Sequence, residues 1–240
     1  MRKKETDIEK VRETFRAFAW LPFEPDRGEE TGLPLVFISH PLTNCAITAY
    51  RDESGLVTLN LFDEEDARTY RDYMSGLCER RTDPYQIVAM LQKQYRLCFL
   101  KYIKSYLSKR DFSGILKQVW IESENPNMDK NVSVKELCRW FKSAEKESLM
   151  EKSELSYLES LPERVQVYRG VSVGRNPDGL SWTDNPKVAE WFAHRFDKKS
   201  EKGFVRTGFV NKKNILAYFS DRSEKELVID CKKIENISVL

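Results

Sequence analysis

Val165-Gln166-Val167-Tyr168-Arg169-Gly170 is the stretch on which the reading of the fold turns. Apolar Val165 and Val167 alternate with Gln166 and Tyr168, the period of a strand that buries one face. An arginine and a glycine close it. The same build recurs downstream in Gly179-Leu180-Ser181-Trp182-Thr183, in Ala189-Glu190-Trp191-Phe192-Ala193, and in Glu224-Lys225-Glu226-Leu227-Val228-Ile229. Each piece mounts polar residues on an apolar run, the pattern of a site carried on strand ends, where a rigid backbone fixes side-chain positions. Around these pieces the spacing predicts strands over 203–210, 215–219, 226–231 and 234–239. One helix is predicted over 186–196, with Asn185 as its cap. The last third is therefore expected to hold five or six strands around one helix.

Upstream the texture is mainly helical. Ile8, Val11, Phe15 and Phe18 recur at spacings of three and four, predicting a helix over 5–19. A loop rich in Pro, Gly and Glu covers 22–34, and strands are predicted at 35–38, 46–50 and 56–62. The last two flank Asp52-Glu53-Ser54-Gly55, a short hairpin connection. Asp63 opens a helix to about residue 74. Asp83 and Pro84 start another, with Ile87, Leu91, Tyr95, Cys98, Tyr102 and Tyr106 on one apolar face as far as Lys109. Helices over 113–122, 133–143 and 152–161 follow, the second opened by a Ser133/Glu136 capping box. The expected class is α+β: a mostly helical N-terminal region with a small β-hairpin over 1–161, then a β-rich region over 162–240. The boundary is expected at Leu161-Pro162.

Composition removes several functions. The 240 residues carry 40 basic and 38 acidic side chains, a net charge of +2. Residues 161–240 hold 15 Lys/Arg against 11 Asp/Glu, leaving 25 against 27 elsewhere, so neither part has the basic excess of a nucleic-acid binder. Nucleic acid stays open only as a substrate. The five cysteines, at 45, 78, 98, 138 and 231, are scattered with no CxxC pair, which argues against a disulfide framework or a cysteine zinc site and fits a reducing cytosol. The charged first residues precede no apolar run, and no stretch approaches the ~20 apolar residues of a membrane span. A cytoplasmic location without membrane contact is expected. GxGxxG, GxxxxGK[ST] and HExxH are missing, and His40 and His194, the two histidines, sit in no distinctive context. Neither a histidine-dependent nucleophile nor a metal site is expected.

What remains is an arginine, a serine and a pair of glutamates. In order and in strand context, Tyr168-Arg169-Gly170, Ser181-Trp182-Thr183 with the following Ala189-x-x-Phe192-Ala193, and Glu224-x-Glu226 resemble the Arg–Ser–Glu class of ADP-ribosyltransferases across about 165–240. The resemblance implies a C-terminal split β-sheet core that binds NAD as a substrate, needs no metal, and transfers ADP-ribose to a macromolecule, in the first instance a protein. The chain departs from the family pattern in placing only 12 positions between Arg169 and Ser181, and in carrying Trp182 where the middle residue of a Ser-Thr-Ser strand stands. Residues 119–196 are also similar to uncharacterised phage and prophage proteins that share Glu124-Asn125-Pro126-Asn127 and Leu161-Pro162; that similarity implies no activity.

The chemistry suits these residue types. NAD presents a diphosphate, which the planar fork of an arginine can clamp, and Arg169 is the candidate. Gly170 lets main chain approach a ligand closely, and the resemblance implies that it holds the nicotinamide amide. Loss of nicotinamide leaves an oxocarbenium-like ribosyl cation, which a nearby carboxylate stabilises. By resemblance Glu226 is that carboxylate, Ser181 orients it, and Glu224 engages the incoming nucleophile; for Glu224 a solvated charge run is an equal alternative. Ser181 and Thr183 share one face of a strand. Tyr168, Trp191, Phe192 and Tyr218 remain open as the ring that stacks on nicotinamide. Two other outcomes fit the same residues: an NAD glycohydrolase with water as acceptor, or a binding protein, such as a phage-encoded inhibitor, that has lost turnover.

Overall fold

The computed structural model describes residues 4–25, 37–53, 55–221 and 224–240. The chain divides into two compact units, one ending at Asp111 and the other comprising Phe112–Leu240. It is α+β, with a helical N-terminal region. The division differs from the boundary expected at Leu161-Pro162. The change from helix to strand at that point is a change of element within one body, because the helices before it pack on the strands after it. No helix among the described residues is long and apolar enough to cross a membrane.

The first unit contains α1 (Ile8–Ala19), the two-residue strands β1 (Glu24–Pro25) and β2 (Ile38–Ser39), the hairpin β3 (Ile47–Asp52) and β4 (Gly55–Asn60), α2 (Glu64–Glu79), α3 (Pro84–Ala89) and α4 (Lys93–Ile103). Asp7, Asp63 and Asp83 cap α1, α2 and α3 by accepting from amides of the first turn. Leu35 and Val36 of the strand predicted at 35–38, and residues 26–34 of the predicted loop, lie outside the described residues. The single helix expected from Asp83 to Lys109 is broken between Ala89 and Lys93. Arg96 accounts for the break: its Nε donates to the carbonyl of Leu91 at 2.8 Å and its Nη2 to that of Ala89 at 3.0 Å. The last carbonyls of α3 thus find donors without the helix continuing.

α5 (Lys109–Glu122) carries the chain into the second unit. A 3-10 turn at Pro126–Met128 follows, then α6 (Val134–Ser143), α7 (Lys146–Leu149), α8 (Lys152–Ser160), β5 (Arg164–Val171), β6 (Ser181–Thr183), α9 (Pro186–His194), β7 (Phe204–Asn211), β8 (Ile215–Phe219), β9 (Glu226–Ile229) and β10 (Ile234–Val239). The strands form one antiparallel sheet in the order β10-β7-β5-β6-β9-β8. The Ser133/Glu136 capping box opens α6, whose Trp140 and Phe141 are both buried. Glu154 of α8, 1% exposed, ties helices to sheet: it accepts from Lys117 Nζ of α5 at 2.9 Å and from the amide and hydroxyl of Ser220, just past β8, at 2.9 and 3.1 Å. A carboxylate this deeply buried is tolerable because each oxygen has donors.

The sheet has a seam. β5 pairs β7 along eight residues, from Arg164↔Asn211 to Val171↔Phe204, but meets β6 at the single pair Tyr168↔Thr183. Beyond that pair the strands part, and main-chain carbonyls facing the gap need donors other than a neighbouring strand. Over β5 lies α9, in unusually close contact. A Cβ on Gly170 would stand 2.1 Å from the carbonyl oxygen of Ala189 and 2.5 Å from the amide of Ala193. One on Gly203 would stand 1.9 Å from the carbonyl oxygen of Ala193. Two glycines on the strand side and two alanines four apart on the helix let the backbones approach this closely.

Candidate functional site

A cleft of about 930 Å³, its open mouth included, is lined by residues of β5, β6, β9, α9, α5 and the 126–128 turn, all within the second unit. At one side lies the half-buried Glu226 at the head of β9. Trp120 of α5 donates its indole N–H to Glu226 Oε2 at 3.0 Å, and Ser181 lines the cleft beside the same carboxylate. Burial pushes Glu226 above the ordinary carboxylate range; the Ser181 and Trp120 donors oppose this, Glu224 adds to it, and the Arg169 charge opposes it. Ser181 Oγ itself accepts from Asn127 Nδ2 at 3.2 Å, while Asn127 Oδ1 accepts from the Leu180 amide at 2.7 Å. Asn127 thus ties the turn after α5 to the start of β6.

Arg169 is placed otherwise than expected. It is 7% exposed, and its Nη1 donates to the carbonyl of Ser181 at 2.6 Å and its Nη2 to that of Asn176 at 2.7 Å. The first carbonyl belongs to β6 and the second to the loop that joins β5 to β6. Gly179 makes room, since a Cβ there would meet Arg169 Nη2 at 2.4 Å. Burial pushes this guanidinium down to about 10, with the Glu226 charge pulling it up. Arg169 Nε is buried and has no hydrogen-bond partner among the described residues. The side chain closes the seam instead of offering a free fork to a diphosphate.

The remaining expected residues divide. Gly170 lines the cleft, but the space its missing Cβ leaves is taken by α9 and not by a ligand. Tyr168 is not among the cleft-lining residues and packs against Ala189, Ala193 and Val205. Thr183 is buried, and its Oγ1 accepts from the amide of Asn185, which in turn caps α9 by accepting from Lys187. Glu224 and Phe192 line the cleft with Ser181 and Glu226. Glu224 and Glu226 do not share a strand face by alternation: Lys225 between them has φ of 47°, so the chain turns there, and β9 begins only at Glu226. Of the other aromatic candidates, Trp191 is 60% exposed, and Tyr218 is buried in a stack on Tyr157.

Trp120, Asn127 and Arg195 line the cleft and carry no site expectation from the sequence. Trp120 and Asn127 lie 106 and 54 positions from their partners. The Glu124-Asn125-Pro126-Asn127 stretch is legible as a helix break, which places a turn there but names no partner. Arg195, at the end of α9, sets its guanidinium 4.7 Å from the ring centroids of both Phe192 and Phe196, and Arg175 stands 5.8 Å from the Phe196 centroid. Partial burial and the neighbouring Arg175 push Arg195 down, while Glu224 and Glu124 pull it up. A carboxylate cluster and a guanidinium pair therefore share one cleft. Comparison of the chain with family models, with curated proteins and with solved structures gives no match.

Proposed function

We propose that this cleft binds NAD and that Glu226 assists release of nicotinamide, with ADP-ribose passing to a macromolecular acceptor. The observation that carries the proposal is the Glu226 carboxylate: half-buried in a cleft, beside Ser181, and held by the indole of Trp120, whose position is fixed by packing. A fixed anion in a water-poor site stabilises positive charge developing beside it far more than the same anion in water. In the reaction proposed, the bond between ribose C1′ and the nicotinamide nitrogen breaks, and its electron pair leaves with the nicotinamide, which loses its pyridinium charge. Positive charge then builds on the ribosyl ring next to Glu226. A lone pair of the acceptor forms the new bond to C1′, and Glu224 at the cleft wall takes the acceptor's proton.

Arg195 and Arg175 are the better candidates for the diphosphate. Both line the cleft, and Arg195 sets its guanidinium against two aromatic rings, whereas Arg169 has given its terminal donors to main-chain carbonyls. The test is incubation with NAD alone and with candidate acceptor proteins, following nicotinamide and transferred label. Glu226→Gln is expected to lower turnover by about 10²–10³-fold with an unchanged circular dichroism spectrum; equal turnover in the two proteins ends this reading. Fast nicotinamide release without any acceptor makes water the acceptor instead.

A further inference from the structure

We propose that Trp120 is a positioning residue for Glu226: its indole N–H, delivered from α5, fixes the carboxylate's orientation and favours its ionised form. The inference rests on the reading of Glu226 as the carboxylate that acts on NAD. The geometry leaves the indole little choice. Trp120 is 2% exposed and meets Phe141 edge to face, with ring centroids 5.0 Å apart and planes at 89°, so its plane is set by the core of the second unit. A buried indole needs an acceptor for its N–H, and the acceptor here is Glu226 Oε2 at 3.0 Å.

Ser181 alone does not suffice to hold the group. Its Oγ accepts from Asn127 Nδ2 at 3.2 Å, and its single proton is at most one donor for the carboxylate. One donor leaves a carboxyl group free to rotate about its last torsion; a second donor on another bearing removes that freedom. The charges acting on Glu226 are Arg169 from β5, which favours ionisation, and Glu224 from the preceding turn, which opposes it. Trp120 therefore acts on the side of Ser181 and Arg169, against burial and Glu224. Its distance from the strands explains why a motif read from the sheet residues alone does not contain it.

Trp120→Phe keeps a ring against Phe141 and deletes the donor. The Glu226 side-chain carboxyl carbon, labelled with ¹³C and identified by its loss in Glu226→Gln, is expected to titrate at higher pH in Trp120→Phe than in the native protein. The acid limb of NAD cleavage should move in the same direction, with kcat about tenfold lower and KM nearly unchanged, as loss of a hydrogen bond to a charged group implies. A Glu226 titration that does not move in folded Trp120→Phe overturns the proposal. If that variant does not fold, the native protein decides: the Trp120 indole ¹⁵N–¹H resonance should shift with the Glu226 midpoint and lose that step in Glu226→Gln, and a resonance indifferent to Glu226 overturns it. Should the native protein not cleave NAD while these titrations behave as expected, the positioning role stands and the proposed activity falls.

Discussion

The two halves of the six-stranded sheet are built on different terms. In the β10-β7-β5 half, β5 and β7 run paired through eight residues, and glycine and alanine bring α9 down onto them. In the β6-β9-β8 half, β6 contributes three residues, and a single pair joins it to β5. Where the backbone ladder is long, side chains are free to pack. Where it fails, a side chain supplies the hydrogen bond, as Arg169 does for Ser181 of β6 and for Asn176 in the loop before it. A cleft walled by polar groups is the consequence of that failure. The comparison teaches that a polar residue at the seam can be structural first, however well its type suits a ligand.

The long half gives the sharpest way to test this. Gly170→Ala places a Cβ 2.1 Å from one backbone atom of α9 and 2.5 Å from another, and backbone cannot step aside as a side-chain end can. The helix must lift, and overpacking of this severity is expected to cost about 3 kcal/mol or more, read as a large drop in Tm. Because Phe192 and Val188 of α9 line the cleft, any folded remainder should also show altered binding. A variant as stable as the native protein would mean that α9 does not rest on β5 as closely as described.

Much of this was legible in the sequence, and what was not has a common cause. Local devices declare themselves: the Ser133/Glu136 box, Asp63, Asp83 before Pro84, and Asn185 before Pro186 all start the helices that their chemistry predicts. Strand alternation over 165–169 is equally plain. Gly170 was readable as a place of close approach, but not by what; the alanines at 189 and 193, four apart, carried that information. Arg169 suggested a ligand because its real partners are main-chain carbonyls, which every residue has and no sequence advertises. Trp120 reaches its carboxylate across 106 positions, so no spacing rule finds it. The division of units eluded reading at Leu161-Pro162 because a change of texture is local, whereas the packing of α8 on β8 is not.

The seam itself is tested by Arg169→Met, which fills similar volume without charge. Removing a buried cation is not costly in itself, and replacing one with an apolar chain is often neutral. Here it strips donors from two part-buried carbonyls, and leaving such groups unpaired costs about 1–3 kcal/mol each. A net loss of about 2–3 kcal/mol in denaturant unfolding is expected, with Arg169→Lys between, since one ammonium cannot reach both carbonyls in the geometry of a fork.

Arg195→Gln should do the reverse of Arg169→Met, and is the smallest effect of the three. Arg195 is exposed, and among the described residues its guanidinium is held by rings and by no carboxylate. Surface substitutions of this kind change stability by about 0.5 kcal/mol or less, so Tm should be almost unmoved. If the guanidinium meets a diphosphate, its loss should raise the KM for NAD about tenfold, near 1.4 kcal/mol, with kcat little altered because phosphate contacts are made equally before and during bond breaking. Arg195→Lys keeps the charge and loses the planar stack, and should fall between. The pair of arginines thus separates what holds the fold from what would hold the ligand. If instead Arg195→Gln leaves KM unchanged while Arg169→Met raises it without destabilising the protein, the division between seam and cleft is drawn through the wrong residue.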